Sequence, residues 1–326
     1  MDRSFDREDM YSVLKKFPNQ IRDAWRLAGD IKFTDIDRII ICGMGGSALS
    51  GEILKSYLFN NFKVPIEVNK NYDLPEYVNS KTLLWISSYS GNTEETIESF
   101  RRGNRKGCQI FVITSGGKLA ELAKKLNKTL IKMPSGIQPR LAYGYSFFPI
   151  LKILQNSGLV ENKDDDVKKL IEVLGKDIYR KKAEELSEKL EGKIPVIYSS
   201  EKLYAVAYKW KINFNENSKI PAFCNYFPEL NHNEMMGYTK PNGDYYIIII
   251  KDDYDDRRIK KRMEVTKKIM QSCGVPALEL ELTSTSDLVK IFSTIYLGDW
   301  TSYFLALRNK VDPTPVELVE TLKKKL

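Results

Sequence analysis

Two short stretches carry residue types that could hold an anion. Gly43-Met-Gly-Gly-Ser-Ala48 follows the apolar run Arg38-Ile-Ile-Ile-Cys42, and Ser88-Tyr-Ser-Gly-Asn-Thr-Glu-Glu-Thr96 follows the apolar run Thr82–Ser87. Each reads as a strand turning sharply into a helix, whose N-terminus offers unpaired backbone N–H groups and a partial positive charge. Ser88, Ser90 and Thr93 around Gly91 add hydroxyl donors without formal charge. That set suits a phosphate monoester that must bind and leave. Nucleotide loops fit less well. A P-loop requires a Lys-Ser/Thr pair, and GMGGSALSGE has none. Gly43, Gly45 and Ala48 match the GxGxxA form of the dinucleotide fingerprint, but Val68-Asn69-Lys70 lacks the acid expected at the end of the next strand. The plainer alternative is a capped helix, with Asn92 or Thr93 as cap and Glu95 in support. A cap requires one hydroxyl; this stretch supplies three.

A third cluster could move protons. The sole histidine, His232, lies in Pro228-Glu-Leu-Asn-His-Asn-Glu-Met-Met236, a short strand's length after Asn213-Phe-Asn-Glu-Asn-Ser-Lys219. Glu216 sits among three asparagines just past the helical stretch Lys202–Phe214. A carboxylate can take and return a proton, and an imidazole can shuttle one near neutrality. Amides and charges gathered at an element end mark either a site or a solvated helix terminus. The sequence leaves both open.

These residues need a frame. Strand-like runs at Arg38–Cys42, Pro65–Val68, Thr82–Ser87, Gln109–Thr114 and Thr129–Lys132 alternate with helix-like stretches at Ser47–Leu58, Asn92–Arg105 and Lys118–Leu126. The alternation predicts an α/β fold with a parallel sheet covered on both faces. After the polar stretch Asn156–Val167, the best linker candidate, the pattern resumes. Strands are expected at Lys193–Ser199, Tyr245–Lys251 and Ala277–Leu282, and helices at Lys202–Phe214, Asp255–Ser272 and Thr285–Arg308. The second half thus repeats the first without its glycine loop. Residues 1 to about 30 read as a helical lead-in. Asp312-Pro-Thr-Pro-Val316 opens a short helical tail ending in Lys323, Lys324 and Lys325.

Composition narrows the class. The 326 residues, 42% hydrophobic and 29% charged, describe a globular chain large enough for two domains. A net charge of +8 favours anionic ligands or simply marks a lysine-rich surface. Basic residues interleave with acids and form no stripe, so no nucleic-acid partner is expected. No run approaches the roughly 18 apolar residues of a membrane span, and the opening MDRSFDREDM is too polar for a secretory signal. Cys42, Cys108, Cys224 and Cys273 are scattered, without a CxxC or Cys/His grouping. That argues against structural zinc and suits a reducing cytoplasm.

GMGGSA followed by SYSGNTEET resembles the sugar isomerase (SIS) domain, a flavodoxin-like α/β unit that binds phosphosugars. Ile113-Thr-Ser-Gly-Gly-Lys-Leu-Ala120 is similar to that family's next strand and loop. The resemblance implies that Ser47, Ser88, Ser90 and Thr93 grip the phosphate, with Gly46 and Pro139 also binding substrate. Over nearly the whole chain, NFNENSKIP, PELNHNE, Pro134-Ser-Gly-Ile-Gln-Pro-Arg-Leu-Ala142 and the lysine-bearing tail resemble the archaeal bifunctional phosphoglucose/phosphomannose isomerases, which contain two SIS domains. This implies a helical extension over 1–34, SIS domains over 35–155 and 168–310, and a tail over 311–326 that closes the active site.

The activity so implied converts glucose 6-phosphate, and mannose 6-phosphate, to fructose 6-phosphate through an enediol, with neither metal nor cofactor. Glu216 would be the base, Arg140 would face the enediolate, and His232 and Lys323 would assist ring opening. A fixed guanidinium stabilises such an anion more in the transition state than in the ground state. The family further implies a homodimer, with His232 supplied by the neighbouring subunit. Its tail threonine, which makes room for both C2 epimers, falls on Val316 without a gap and on Thr314 if the proline turn shifts. Two other classes remain: another SIS isomerase, of the arabinose 5-phosphate or glucosamine 6-phosphate type, and a non-catalytic phosphosugar sensor.

Overall fold

The five apolar runs of the first half pair into one parallel sheet. The computed structural model describes residues 2–60, 62–323 and 325, apart from the side chain of Lys323. Helices α1 (Met10–Lys15) and α2 (Phe17–Leu27) lead into β1 (Arg38–Cys42), α3 (Gly45–Tyr57), β2 (Ile66–Asn69), β3 (Thr82–Ser87), α4 (Glu94–Arg105), β4 (Gln109–Thr114), α5 (Gly117–Lys125) and β5 (Thr129–Lys132). The strand order β2-β1-β3-β4-β5 is the flavodoxin-like one. β3 is buried at all six positions, as a central strand covered on both faces must be. Its register sets Trp85 beside Ile41 and Phe111. The order reverses between β1 and β3, so the loops leaving these strands open the crevice where such sheets bind ligands. Those are the two glycine loops.

The sheet is followed by α6 (Tyr143–Asn156), a helix that the sequence reading lacks. Eleven of its fourteen residues are buried and Pro149 lies inside it. An apolar surface all round leaves no 3.6-residue stripe to recognise. The expected linker Asn156–Val167 is likewise replaced, by the end of α6, a short turn and the start of α7 (Asp164–Leu174). Asp164, Asp165 and Asp166 fill the first turn of α7, where carboxylates complement the helix dipole. The polarity that suggested a linker is a helix start.

By its internal contacts the chain divides within α7. One unit is Lys16–Ile171; the other joins Met1–Lys15 to Glu172–Leu326. The second contains α8 (Ile178–Leu190), β6 (Ile194–Ser200), α9 (Tyr204–Glu216), β7 (Phe223–Phe227), β8 (Tyr245–Asp252), α10 (Arg257–Ser272), β9 (Ala277–Leu282), α11 (Asp287–Arg308) and α12 (Glu317–Lys323). Its four strands are parallel and ordered β7-β6-β8-β9. α11 is buried from Leu288 through Leu307, packed on α8 and α9. Gly298 permits that packing, since a Cβ there would stand 2.4 Å from Trp210 Nε1. The N-terminal residues join this unit through Tyr11, edge-on to Trp300 at 5.2 Å, and Asp6, which accepts from Tyr303 at 3.0 Å. Among the described residues no helix is long and apolar enough to cross a membrane.

Within the first unit, Asp164 ties three helices together. It accepts from Trp25 Nε1 of α2 at 2.8 Å and from Lys152 Nζ of α6 at 3.0 Å while starting α7. The Lys152 ammonium holds its carboxyl down at about 2. A depressed carboxyl stabilises the fold above its unfolded pKa, near 3.9, and loses that contribution as pH falls through the folded value. Because the side chain is 36% exposed, Asp164→Asn is expected to cost only about 1 kcal/mol at pH 7. Melting curves of wild type and variant should converge between pH 4 and pH 2.

Candidate functional site

The first glycine loop lets three backbones meet. A Cβ on Gly43 would stand 2.9 Å from Ser87 O, and one on Gly46 would stand 2.9 Å from the carbonyl of Pro139 and 3.0 Å from Arg140 N. Gly46 therefore sets the N-terminus of α3 directly against the turn that carries Arg140. Next along α3, the nearly buried Ser47 accepts from Tyr89 N at 3.2 Å, which joins the first loop to the second.

The second loop is not a capped helix. Thr93 occupies the N-cap of α4 in extended conformation, yet its side chain makes no capping bond. Its hydroxyl pairs instead with Ser88 Oγ at 2.9 Å, and Ser88 Oγ accepts from Gly91 N at 3.1 Å. Ser90, exposed at the tip, accepts from Asn92 N at 3.2 Å. The first-turn N–H groups of α4 keep their donor capacity for an anion. Hydroxyls and helix terminus thus converge as an uncharged cradle.

A third loop, after β4, holds the second from behind. Gly91 has φ +70°, and a Cβ on it would stand 1.9 Å from Gly116 O; a Cβ on Gly117, at φ +68°, would stand 2.4 Å from Ser90 O. Leu119 N donates to Gly91 O at 2.9 Å and Lys118 N to Asn92 Oδ1 at 3.0 Å. Tyr89 then reaches the other way: its hydroxyl accepts from Ile137 N at 2.9 Å, just before Arg140. Burial raises the Tyr89 phenol, which keeps it neutral and able to donate and accept. The sequence reading missed Tyr89 and Asn92 as supports. The Gly116-Gly117 doublet was the available signal.

Arg140 is 2% exposed, in a 3-10 turn over Pro139–Leu141. Gln20 of α2 fixes the turn, donating to Leu141 O at 3.1 Å and accepting from Gly144 N at 2.9 Å. Arg140 Nη1 donates to Gln138 Oε1 at 3.4 Å. A buried guanidinium beside the phosphate-loop terminus is a fixed positive charge. The first unit therefore brings the loops that carry Gly46, Ser47, Ser88, Ser90, Thr93, Pro139 and Arg140 into contact with one another.

In the second unit Glu216 is the last residue of α9, partly buried. Polar bonds to α11 fix that end of the helix. Lys209, fully buried, lies 2.8 Å from Asp299 Oδ1 and donates to Asn213 Oδ1 at 2.6 Å. Asn213 donates to Asp299 at 2.6 Å, and Asn217 to Ser302 Oγ at 2.9 Å. Residues 209, 213 and 217 share one helix face. A buried ion pair is costly to break, so the register of α9 on α11 is held firmly where Glu216 emerges.

His232 stands elsewhere in this unit. It is exposed, in a 3-10 turn that follows the C-terminal end of β7, whereas Glu216 precedes the strand's N-terminal end. The five residues of β7, a strand about 16 Å long, run between the two segments. Thr314 is 3% exposed in the proline turn, its N–H donating to Asp312 Oδ1 at 3.0 Å; Val316 is partly buried. The Lys323 side chain lies outside the described residues.

The equivalent crevice of the second sheet, where the order reverses between β6 and β8, is built differently. Lys290 Nζ lies 2.5 Å from Asp252 Oδ1, both 1% exposed. Lys202 lies 3.3 Å from Asp287 and 3.6 Å from Asp252. Charge there is matched internally.

A doubly wound domain whose paired strand-end loops cradle an anion is the pattern of SIS domains. Residues 32–139 match the SIS-domain family model, and residues 179–326 match that of the bacterial phospho-glucose isomerase C-terminal SIS domain. The chain is 40% identical to a bifunctional phosphoglucose/phosphomannose isomerase of Caldicellulosiruptor bescii, over 97% of this chain and 98% of that one. It is 35% identical to one of Aquifex aeolicus, over 98% of each. The chain belongs to the family of bifunctional phosphoglucose/phosphomannose isomerases. Its backbone is also similar to that of a hypothetical protein from Thermus thermophilus, with a TM-score of 0.77 at 17% identity over 98% of this chain and 91% of that one, a likeness of fold alone.

Gly46→Ala should push the α3 terminus off the Pro139 carbonyl and weaken binding of a phosphate monoester at least about tenfold, since an ångström of misplacement at a site costs more than that. Gly45→Ala meets no atom within 4 Å but sits at φ +51°, and should lose about 1 kcal/mol of stability with little loss of affinity. Calorimetric titration and melting of both variants check the contrast.

Proposed function

We propose that the chain isomerises glucose 6-phosphate and mannose 6-phosphate to fructose 6-phosphate, with Glu216 as the base. The observation that carries the activity is near full-length kinship with the bifunctional isomerases; the hydroxyl cradle supports it. In this reading Ser47, Ser88, Ser90 and Thr93, with the backbone at Gly46 and Pro139, take the phosphate. Glu216 moves one proton between C1 and C2, and Arg140 steadies the enediolate oxygen. His232 and Lys323 assist ring opening, and Thr314 of the proline turn leaves room for either C2 epimer. The reaction redistributes a proton within the sugar, so its electron balance calls for no redox cofactor. Four free cysteines suit a reducing compartment, which we take to be the cytoplasm.

We further propose a homodimer that shares its sites. Glu216 and His232 of one chain lie at opposite ends of β7, so a histidine acting beside Glu216 would come from a second copy. Glu216→Gln should reduce turnover of both sugar phosphates about 10²- to 10⁴-fold, the usual worth of a general base, while wild type keeps its activity in EDTA. Wild type that binds but does not convert either sugar would leave a sensor, not an enzyme. Equal mixing of inactive Glu216→Gln and His232→Ala chains should restore about a quarter of wild-type activity, because half of the random dimers then contain one intact shared site. No recovery would place His232 within its own chain's site.

A further inference from the structure

We propose that Lys219 is a positioning residue that sets the distance between Glu216 and the tail turn carrying Thr314, and so tunes discrimination between the two aldoses; this rests on the reading of Glu216 as base. Lys219 follows Glu216 by three residues and holds φ +58°, a left-handed conformation uncommon for a long side chain. From there its ammonium donates to Glu216 O, to Pro315 O at 2.5 Å and to Pro313 O at 3.4 Å. One side chain thereby joins the last carbonyl of α9 to the two carbonyls that flank Thr314. An ammonium has three donors, and main-chain carbonyls are good acceptors for them. The negative end of the α9 dipole favours a cation at this point.

Two further bonds lie at this joint. Asn309 Nδ2 donates to Ser218 O at 3.2 Å, tying the segment before Lys219 to the end of α11, and Asp312 accepts from Thr314 N within the turn; Lys219 is the side chain seen to reach the two carbonyls that flank Thr314. Glucose and mannose 6-phosphate differ in the direction of one hydroxyl, on the carbon whose proton the base moves. Their discrimination therefore depends on the spacing between the base and the wall opposite, and small changes in spacing carry large rate effects.

Lys219→Gly removes the ammonium while relieving the left-handed backbone, so its fold is retained. In the full chain it should lower kcat/KM at least about tenfold and change the glucose-to-mannose ratio of kcat/KM by about threefold or more, since modest differences in fit give such ratios. Its melting temperature should match or exceed wild type. Lys219→Met, of similar length, should shift the ratio the same way, and Lys219→Arg, which keeps donors, should return it towards wild type. An unchanged ratio in both Lys219→Gly and Lys219→Met overturns the proposal, even if overall activity falls. Glu216→Gln run alongside separates the two readings. If it stays active, the role of Glu216 as base fails; if it is dead while the Lys219 variants keep the wild-type ratio, the positioning role alone fails.

Discussion

The anion cradle depends on backbone segments packed closer than any side chain permits. Gly91 against Gly116, and Gly46 against Pro139, bring main chain within contact distance of main chain. Three strand-end loops consequently behave as one body, and their amide groups stay where the strands aim them. The Ser47 hydroxyl bonds across two of these loops, those of Ser88 and Thr93 bond each other within one, and Thr93 does not cap its own helix. In the proposed reading such a cradle is preorganised for the phosphate by backbone and hydroxyls, with Arg140 kept for the enediolate. Release is then easy, since a formally neutral cradle forms no ion pair with a dianionic ligand.

Much of this is legible in the sequence. β1, β3, β4, β5 and β9 fall where the apolar runs place them, because strands in a parallel sheet are continuous apolar segments bounded by glycine or polar turns. The cradle residues are legible for the same reason: hydroxyls and glycines directly after such a run have few structural duties. What escapes is whatever lacks a period. α6 is buried nearly throughout, so its sequence shows no stripe. The acidic start of α7 reads like a linker, because Asp-rich segments serve both roles. Gln20, which braces the Arg140 turn from a distant helix, carries no signal at all. Its importance exists only in three dimensions.

The second unit achieves rigidity by other means. Where the first uses absent side chains, α9 and α11 are locked by Lys209, Asp299 and Asn213, all buried and mutually bonded. Such a network adds little net stability over an apolar contact, but it admits a single register. If Glu216 is the base, as proposed, a helix that ends on it benefits from register more than from depth of burial.

The two sheets share a topology, and the strand ends at their reversal points are furnished differently. In the second, Asp252 occupies the ion-pairing capacity of Lys290 and part of that of Lys202. That copy of the fold carries its counter-ion within its own sequence. Duplication of a binding domain ordinarily doubles the stoichiometry of binding; in the proposed reading only the first copy takes the phosphate, and the second contributes a reacting group instead of a second cradle.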